Sequence, residues 1–383
     1  MTTQQILEKL VSFPVLGGDT NLEIINWIQQ YIESFGVTTF LVYNNDNTKA
    51  SLHCRIGPAV GGGVILSGHT DVVPVKNQPW DTNPFELVEK ADGNLYARGS
   101  CDMKGFLACC LATLPKMVKA NLTKPIYFAF SYDEEIGCLG AEDLINDIKS
   151  TYSEIPKFAI IGEATMLQPI IGQKSIHILD ITVNGSEGHS SRINQEVSAI
   201  HEAAKIVLWA ETKMEKLVKT SNDVRFNPPH SSLHVGTING GIAANIIANN
   251  VTLSLDMRCL PKDNPNKLHQ DLINFCKERE TIKRAIFSNF TIKVEENHRI
   301  VPAFSTHESS EAVTLIGEIT GNYNWNTVSY ASEAGYFANA GFEAIICGPG
   351  SIKQAHRANE FISKDQLNKG TAMIEALVTY LEK

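Results

Sequence analysis

Five motifs contain acidic residues or histidines that could bind a metal. Three of them, at His69, Glu134–Glu135 and Glu163, follow apolar runs, and the other two, at Asp102 and His356, lie in glycine-containing segments. A carboxylate or imidazole at the end of a buried strand is costly unless a cation or hydrogen-bond donors compensate it. Nitrogen and oxygen donors of this kind suit zinc, cobalt or manganese better than copper(I) or an iron–sulfur cluster. The sequence therefore predicts a metal centre whose ligands are His69, Asp102, Glu163, His356 and one carboxylate of the pair Glu134–Glu135.

His69 and Asp71 lie two residues apart, so on a strand both side chains point to the same face. A metal-binding imidazole usually donates its second N–H to a carboxylate, which fixes the tautomer and raises the basicity of the ligand. We therefore predict that Asp71 orients His69.

Asp102 lies in a loop bracketed by Gly99 and Gly105, and its two carboxylate oxygens could bridge two cations. The alternative is that Asp102 caps the helix that follows it. Glu134 and Glu135 follow a buried strand, and adjacent side chains diverge. One of them can therefore bind metal while the other transfers protons, and spacing does not decide which.

The number of carboxylates favours two metal ions over one. Three carboxylates on a single divalent ion would over-neutralise it and leave a poor Lewis acid. Two divalent ions are brought near neutrality by the same three carboxylates together with one bridging hydroxide, with both histidines uncharged. We predict Zn²⁺ as the metal and expect Co²⁺ to support activity as well.

The elements that must position these motifs alternate between apolar strands and helices. Such alternation indicates an α/β domain with a mostly parallel sheet covered on both faces. The predicted helices are residues 3–12, 20–35, 103–119, 141–150 and a last helix that begins at Ser363 with a capping box to Gln366. The predicted strands are residues 38–43, 51–56, 63–67, 125–131 and 158–161.

The middle of the chain has a different pattern. The predicted strands are 175–183, 232–238, 251–258 and 290–295, and the predicted helices are 194–219 and 266–280. The resulting order β-α-β-β-α-β is that of a ferredoxin-like unit. We therefore predict a discontinuous catalytic domain of residues 1–176 and 299–383, interrupted by a lid and dimerisation domain of residues 177–298.

Length and composition set the class of protein. A chain of 383 residues with 43% hydrophobic and 20% charged residues is expected to be globular and to have two domains. A net charge of −9 without a basic cluster argues against a nucleic-acid partner. No apolar stretch approaches the roughly 20 residues that cross a bilayer. The eight cysteines show no CxxC pairing, which favours reduced thiols and a cytoplasmic protein.

The motifs resemble those of the dinuclear zinc deacylase and aminopeptidase family, and the resemblance covers essentially the whole chain. It rests on Ser-Gly-His-Thr-Asp (67–71), Arg-Gly-Ser-Cys-Asp-Met-Lys-Gly (98–105), Ser-Tyr-Asp-Glu-Glu (131–135) and Gly-Glu-Ala-Thr (162–165). Within the family, segments 131–141 and 348–356 are most similar to the acetylornithine deacetylases.

The resemblance implies a role for each residue of the predicted centre. Glu134 would be the general base and acid, Asp71 would orient His69, and the peptide bond after Asp102 would be cis. One metal would be held by His69, Asp102 and Glu163, and the other by Asp102, Glu135 and His356.

Three positions of the inserted domain also match the family. His189, in Gly-His-Ser-Ser (188–191), resembles the lid histidine that stabilises the oxyanion. Asn245 and Arg258 resemble residues that bind the carboxylate of the substrate. From its position at the end of a strand alone, Arg258 could equally pair with Asp256 or be a solvated charge.

The resemblance implies hydrolysis of a small-molecule N-acyl amino acid by a homodimer. The best match is N2-acetyl-L-ornithine, which would give L-ornithine and acetate for arginine biosynthesis. Glu333 is our candidate for binding the distal ammonium of ornithine. The alternative is that Glu333 is only a charge at the start of a helix. Desuccinylation of succinyl-diaminopimelate, broader N-acyl-amino-acid deacylation, a peptidase and a non-catalytic metal-binding relative stay open.

Overall fold

The chain, described over residues 1–383 by a computed structural model, divides into two compact units. Unit 1 comprises Met1–Gly172, Phe304–Thr327 and Ser332–Lys383. Unit 2 comprises Gln173–Ala303 and Val328–Ala331. The divisions therefore fall after residues 172 and 303, where the sequence pattern predicts 176 and 298. Nothing in that pattern predicts the grouping of residues 328–331 with unit 2.

Up to residue 173 the chain alternates helices and strands: α1 Thr3–Val11, α2 Leu22–Glu33, β1 Thr39–Tyr43, β2 Ala50–Ile56, β3 Val64–His69, β4 Val88–Glu89, β5 Asn94–Tyr96, α3 Lys104–Lys119, β6 Ile126–Ser131, α4 Ala141–Thr151, β7 Phe158–Ala164 and β8 Ile170–Gln173. The middle of the chain contains β9 His177–Asn184, β10 Gly188–His189, a 3-10 turn Ser190–Arg192, α5 Ala199–Thr220, β11 Ser232–Gly240, β12 Ile246–Ile247, β13 Asn250–Arg258, α6 Pro265–Arg284 and β14 Thr291–Glu296. The last part contains β15 Phe304–Ser305, α7 Glu311–Thr320, β16 Asn326–Val328, α8 Ala334–Asn339, β17 Glu343–Gly348, a 3-10 turn Ile352–Gln354, β18 Phe361–Ser363 and α9 Lys364–Leu381.

The main sheet of unit 1 is mixed, so the prediction of a mostly parallel sheet is wrong. Its strand order is β1-β2-β6-β3-β7-β17-β8-β15, with β16 beside β8. The central strands β6, β3, β7 and β17 run parallel, whereas the β1–β2, β2–β6 and β17–β8 pairs are antiparallel. Only six residues join β1 to β2, which is too short for the crossover that parallel strands need.

Helix α3 packs closely on the parallel strands that carry the predicted ligands. A Cβ at Gly68 would lie 2.6 Å from the terminal methyl of Met103, and one at Gly162 would lie 2.0 Å from the ring of Phe106. Both glycines therefore allow an approach that any side chain would block. This contact fixes the start of α3, beside Asp102, against the ends of β3 and β7.

Unit 2 contains a four-stranded antiparallel sheet in the order β11-β13-β9-β14. Residues alternate between buried and partly exposed along β9, and α5 and α6 pack on the sheet. The predicted start of α5 at residue 194 is wrong by five residues. The helix begins at Ala199 because the side chain of Ser198 accepts a hydrogen bond from the backbone amide of His201.

All eight cysteines are unpaired and buried, as predicted for reduced core thiols. No helix combines the length and apolar character that a bilayer span requires. The predicted capping box of α9 is only half formed. Ser363 accepts from the amide of Gln366, but the side chain of Gln366 accepts from the amide of Gly350 instead.

Candidate metal centre

The five predicted ligands of unit 1 come together in two groups that share Asp102. His69 is the last residue of β3 and Glu163 lies within β7, which runs one residue beyond it because Ala164 pairs with Gly348 of β17. The other three ligands lie in connecting segments. In each group the ligand atoms lie within 4.8 Å of one another; the groups are His69, Asp102, Glu163 and Asp102, Glu135, His356.

The two oxygens of Asp102 face different groups. Oδ1 lies 3.3 Å from Nε2 of His69, and Oδ2 lies 3.4 Å from Nε2 of His356. Nε2 of His69 is also 3.8 Å from Glu163, and Nε2 of His356 is 3.0 Å from Glu135. Tetrahedral ligands bound at about 2.0–2.1 Å lie roughly 3.3–3.4 Å apart, so the two separations from Asp102 fit two divalent ions that share this residue.

The backbone around Asp102 agrees with this role. The Asp102–Met103 peptide bond is cis, which confirms the geometry that the family resemblance implies. The N-cap of α3 is Met103, and no side chain caps that helix. The alternative that Asp102 caps the helix is therefore wrong, and its carboxylate is directed to the two histidines instead.

The electrostatics of the centre show a deficit of positive charge. Burial and the charge of Asp102 raise the pKa of Glu163 well above its ordinary value, and the same two causes raise the pKa of Glu135 to about 7. Burial opposes ionisation of Asp102, but hydrogen bonds from His356 and His69 hold its pKa below the usual range. Buried carboxylates packed this closely are the surroundings in which divalent cations bind.

Asp71 organises the centre through its backbone as well as its side chain. Nδ1 of His69 lies 2.9 Å from the carbonyl oxygen of Asp71 and 3.6 Å from its carboxylate. The carboxylate accepts the backbone amides of Glu134 at 3.2 Å and Glu135 at 3.1 Å. One residue thus orients the imidazole and also fixes the Glu134–Glu135 pair.

The structure separates the two adjacent glutamates. Glu135 belongs to a ligand group, whereas Glu134 belongs to neither. Burial raises the pKa of Glu134 well above its ordinary value, and the carboxylates of Glu163 and Glu135 add to the shift. A carboxyl group close to the ligands, outside both groups and with a raised pKa is suited to exchange protons.

Sequence reasoning missed a buried ion pair behind the loop that carries Asp102. Oε1 of Glu360 accepts the backbone amides of Cys101 at 2.9 Å and Asp102 at 3.0 Å, and Oε2 lies 2.6 Å from Nη1 of Arg98. Arg98 and Glu360 are at most 1% exposed. The signal available in the sequence was Arg98 itself, a cation inside the Asp102 motif without an evident anionic partner.

Replacing Glu360 with alanine should lower the free energy of unfolding by about 3–5 kcal/mol, because it leaves the Arg98 charge buried and unpaired. Urea denaturation measures the change. The matched control is Glu375 on α9, whose side chain is 49% exposed and 3.5 Å from Lys116. Glu375→Ala should cost less than about 0.5 kcal/mol. Equal losses in the two variants would contradict the prediction.

Glu333 lies in unit 1 at the N-cap of α8, but its side chain does not cap the helix. It is 1% exposed, so it is not a solvated charge at a helix start. Its Oε2 accepts a hydrogen bond from Oγ of Ser67 at 3.3 Å, and its Oε1 has no hydrogen-bond partner. Burial raises its pKa.

The three other predicted residues lie in unit 2. His189 and Asn245 are exposed neighbours, because β10 pairs with β12 and the amide of Ser190 donates to the carbonyl oxygen of Asn245 at 3.0 Å. Arg258 lies elsewhere, at the end of β13. Its Nε is 3.0 Å from the carboxylate of Asp256, so the ion pair that the sequence left open is present.

Comparison with known proteins shows the family to which the chain belongs. The profile of Peptidase family M20/M25/M40 matches residues 65–380. An acetylornithine deacetylase from Proteus mirabilis is 33% identical over 344 residues, which cover 90% of this chain and 86% of that protein. An M20 family metallo-carboxypeptidase from Sulfolobus solfataricus has a similar fold, with a TM-score of 0.78, 18% identity and 99% coverage of both chains.

A dinuclear metal-binding peptidase of the M20 family from Bacillus subtilis is similar as well. Its TM-score is 0.62 at 14% identity, with 99% of this chain and 98% of that chain covered. At such identities the two solved structures support the fold alone. The family match spans most of the sequence and includes all five ligand motifs in full. The chain therefore belongs to Peptidase family M20/M25/M40 and is a hydrolase of that family.

Proposed function

We propose that the protein hydrolyses N2-acetyl-L-ornithine to L-ornithine and acetate at a centre of two divalent ions, with Zn²⁺ as the best match. The observation that carries the proposal is the division of the Asp102 oxygens between two histidine-and-carboxylate groups. The similarity to an acetylornithine deacetylase over most of the chain supports the choice of substrate.

The residues would divide the chemistry as follows. When bound, the two ions would polarise the acyl carbonyl and acidify water. Glu134 would accept a proton from the attacking water and deliver it to the nitrogen of the leaving amine. Asp71 would keep Glu134 in place through the backbone amide that its carboxylate accepts. His69, Asp102, Glu135, Glu163 and His356 would hold the ions.

We propose that unit 2 supplies the remaining contacts. His189 is exposed, and its Nδ1 is 2.8 Å from Oγ of Ser191, which leaves Nε2 to donate to the oxyanion. Asn245, its neighbour, and Arg258 would bind the α-carboxylate of the substrate. Arg258 already pairs with Asp256, so the guanidinium is held in a defined orientation.

We also propose that unit 2 is the ferredoxin-like lid and dimerisation domain of a cytoplasmic homodimer. The two central strands of its sheet are β9 and β13, which are the first and third strands of the β-α-β-β-α-β order along the chain. The outer strands β11 and β14 present edges that a second copy can pair with. Light scattering of the purified protein tests the dimer, and a monomer at all concentrations would contradict it.

The test of the main proposal is a hydrolysis panel on zinc-loaded and cobalt-loaded protein. Acetylornithine should have the highest kcat/KM, above acetylmethionine and succinyl-diaminopimelate. A preference for the succinylated substrate would make the protein a desuccinylase, and equal rates would make it a broad deacylase. Absence of turnover with any substrate in the metal-loaded protein would favour a non-catalytic relative.

Glu333→Gln should lower the preference for acetylornithine over acetylmethionine by about tenfold or more, as expected for the loss of one charged hydrogen bond. The reason is that the unpartnered Oε1 of Glu333 can accept from the distal ammonium of ornithine. The ratio of the two kcat/KM values measures the effect. Both rates falling together would assign Glu333 to general positioning, and an unaltered ratio would dismiss its role in specificity.

A further inference from the structure

Unit 2 contains a second group of side chains with metal-ligand chemistry. His177 begins β9, His269 lies on α6 and Glu296 ends β14. Their ligand atoms lie within 4.8 Å of one another. Oε1 of Glu296 is 3.3 Å from Nε2 of His177 and 3.3 Å from Nδ1 of His269. Three separate elements of one unit therefore direct two imidazoles and a carboxylate to one point.

His177 is the least explained member of this group. Its side chain has no exposed surface, and neither of its ring nitrogens has a hydrogen-bond partner. Buried polar groups are almost always paired, so a fully buried imidazole with two unpaired nitrogens requires an explanation. The contact with Glu296 is short without hydrogen-bond geometry. Two ligand atoms that bind the same metal ion make a contact of this kind, because each directs its lone pair at the ion and not at the other ligand.

We propose that His177, His269 and Glu296 bind a third divalent transition-metal ion, of which Zn²⁺ fits best. Two nitrogens and one oxygen are donors that zinc accepts, with water in the fourth position. The two separations of 3.3 Å equal those of tetrahedral ligands bound at about 2.0–2.1 Å. They also equal the separation of His69 from Asp102 in the dinuclear centre.

The protonation state of His177 agrees with this site. Burial and the neighbouring His269 lower its pKa to about 4, so the imidazole is neutral at pH 7, which is the form that binds metal. The side chain of Glu296 is 45% exposed, which gives an ion a route from solvent. A bound ion would join α6 to both β9 and β14, and would add a cross-link to unit 2 that packing alone does not supply.

The experiment is a count of zinc per chain on the full-length protein after equilibration with Zn²⁺ and removal of free metal. The wild type should hold three ions, and His269→Gln and Glu296→Gln should each hold two. The matched controls are His234→Gln, an exposed histidine of the same unit, and Glu295→Gln, the neighbour of Glu296 that pairs with Lys293. Both controls should keep three.

An Asp102→Ala variant distinguishes this site from the dinuclear centre, because it should still hold one ion. That ion should be lost when Glu296→Gln is added. The inference is independent of the proposed deacetylase activity, since it needs metal content and not turnover. A wild-type count of two, or an unchanged count in both His269→Gln and Glu296→Gln, would overturn it.

Discussion

Glu134→Gln is expected to lower kcat for acetylornithine by about 10²–10⁴-fold, the range that loss of a general acid–base group produces. Zinc content should stay at the wild-type value because Glu134 belongs to neither ligand group. The fold should also survive, since burial already favours the uncharged form of this carboxyl and glutamine has nearly the same shape. Steady-state kinetics and a zinc count on the same preparation measure both parts.

The neighbouring residue provides the control. Glu135→Gln changes the same functional group one position along the chain, but it removes a carboxylate 3.0 Å from His356. It should therefore lower the zinc content as well as the rate. If Glu134→Gln lost zinc and Glu135→Gln kept it, the assignment of the two glutamates would be reversed. Near-normal turnover in Glu134→Gln would remove it as the proton-transfer group.

Asp102→Ala should remove both ions of the dinuclear centre and abolish hydrolysis. The cause is that each ligand group depends on one of its oxygens, with Oδ1 facing His69 and Oδ2 facing His356. Zinc content, measured before and after addition of excess Zn²⁺, is the readout. If excess Zn²⁺ restored the zinc content and the activity, Asp102 would contribute less to metal affinity than its position between the two groups implies.

Single-ligand variants test the sharing directly. His69→Ala and His356→Ala each remove a donor from only one group, so each should weaken the binding of one ion and spare the other. Asp102→Ala should thus cost more zinc than either histidine variant. Equal zinc loss in all three variants would indicate a single cooperative site and would contradict the division of the ligands into two groups.

The candidate ligands could be selected from the sequence because each lies in a local pattern. His69 and Glu163 come with apolar runs that only buried strands produce, and Asp102 lies in a glycine-bracketed loop before a helix. These signals are contained within a few residues. They show which side chains are placed at strand ends, and the parallel strands β3 and β7 then bring them to the same edge of the sheet.

What could not be predicted depends on contacts between distant residues. The direction of β2 is set by its pairing with β6, which lies about 70 residues away in sequence, so apolar content alone could not show that the sheet is mixed. Glu360 directly precedes the short strand β18, whose sequence has no periodic pattern of apolar residues. Its contact with Arg98 spans 262 residues of the chain. The true start of α5 depended on a single cap, Ser198, among several residues that can cap a helix.

The contacts of Glu360 and His356 determine when the centre can assemble. The loop of Asp102 is fixed by a carboxylate near the C-terminus, and one histidine of the centre comes from the same late segment. A ribosome that has translated four of the five candidate ligands has therefore produced neither the carboxylate that supports the Asp102 loop nor the last candidate ligand, His356. The group that contains His356 and the support of the Asp102 loop are completed only near the end of synthesis, and chains truncated before residue 356 would be released without a complete centre.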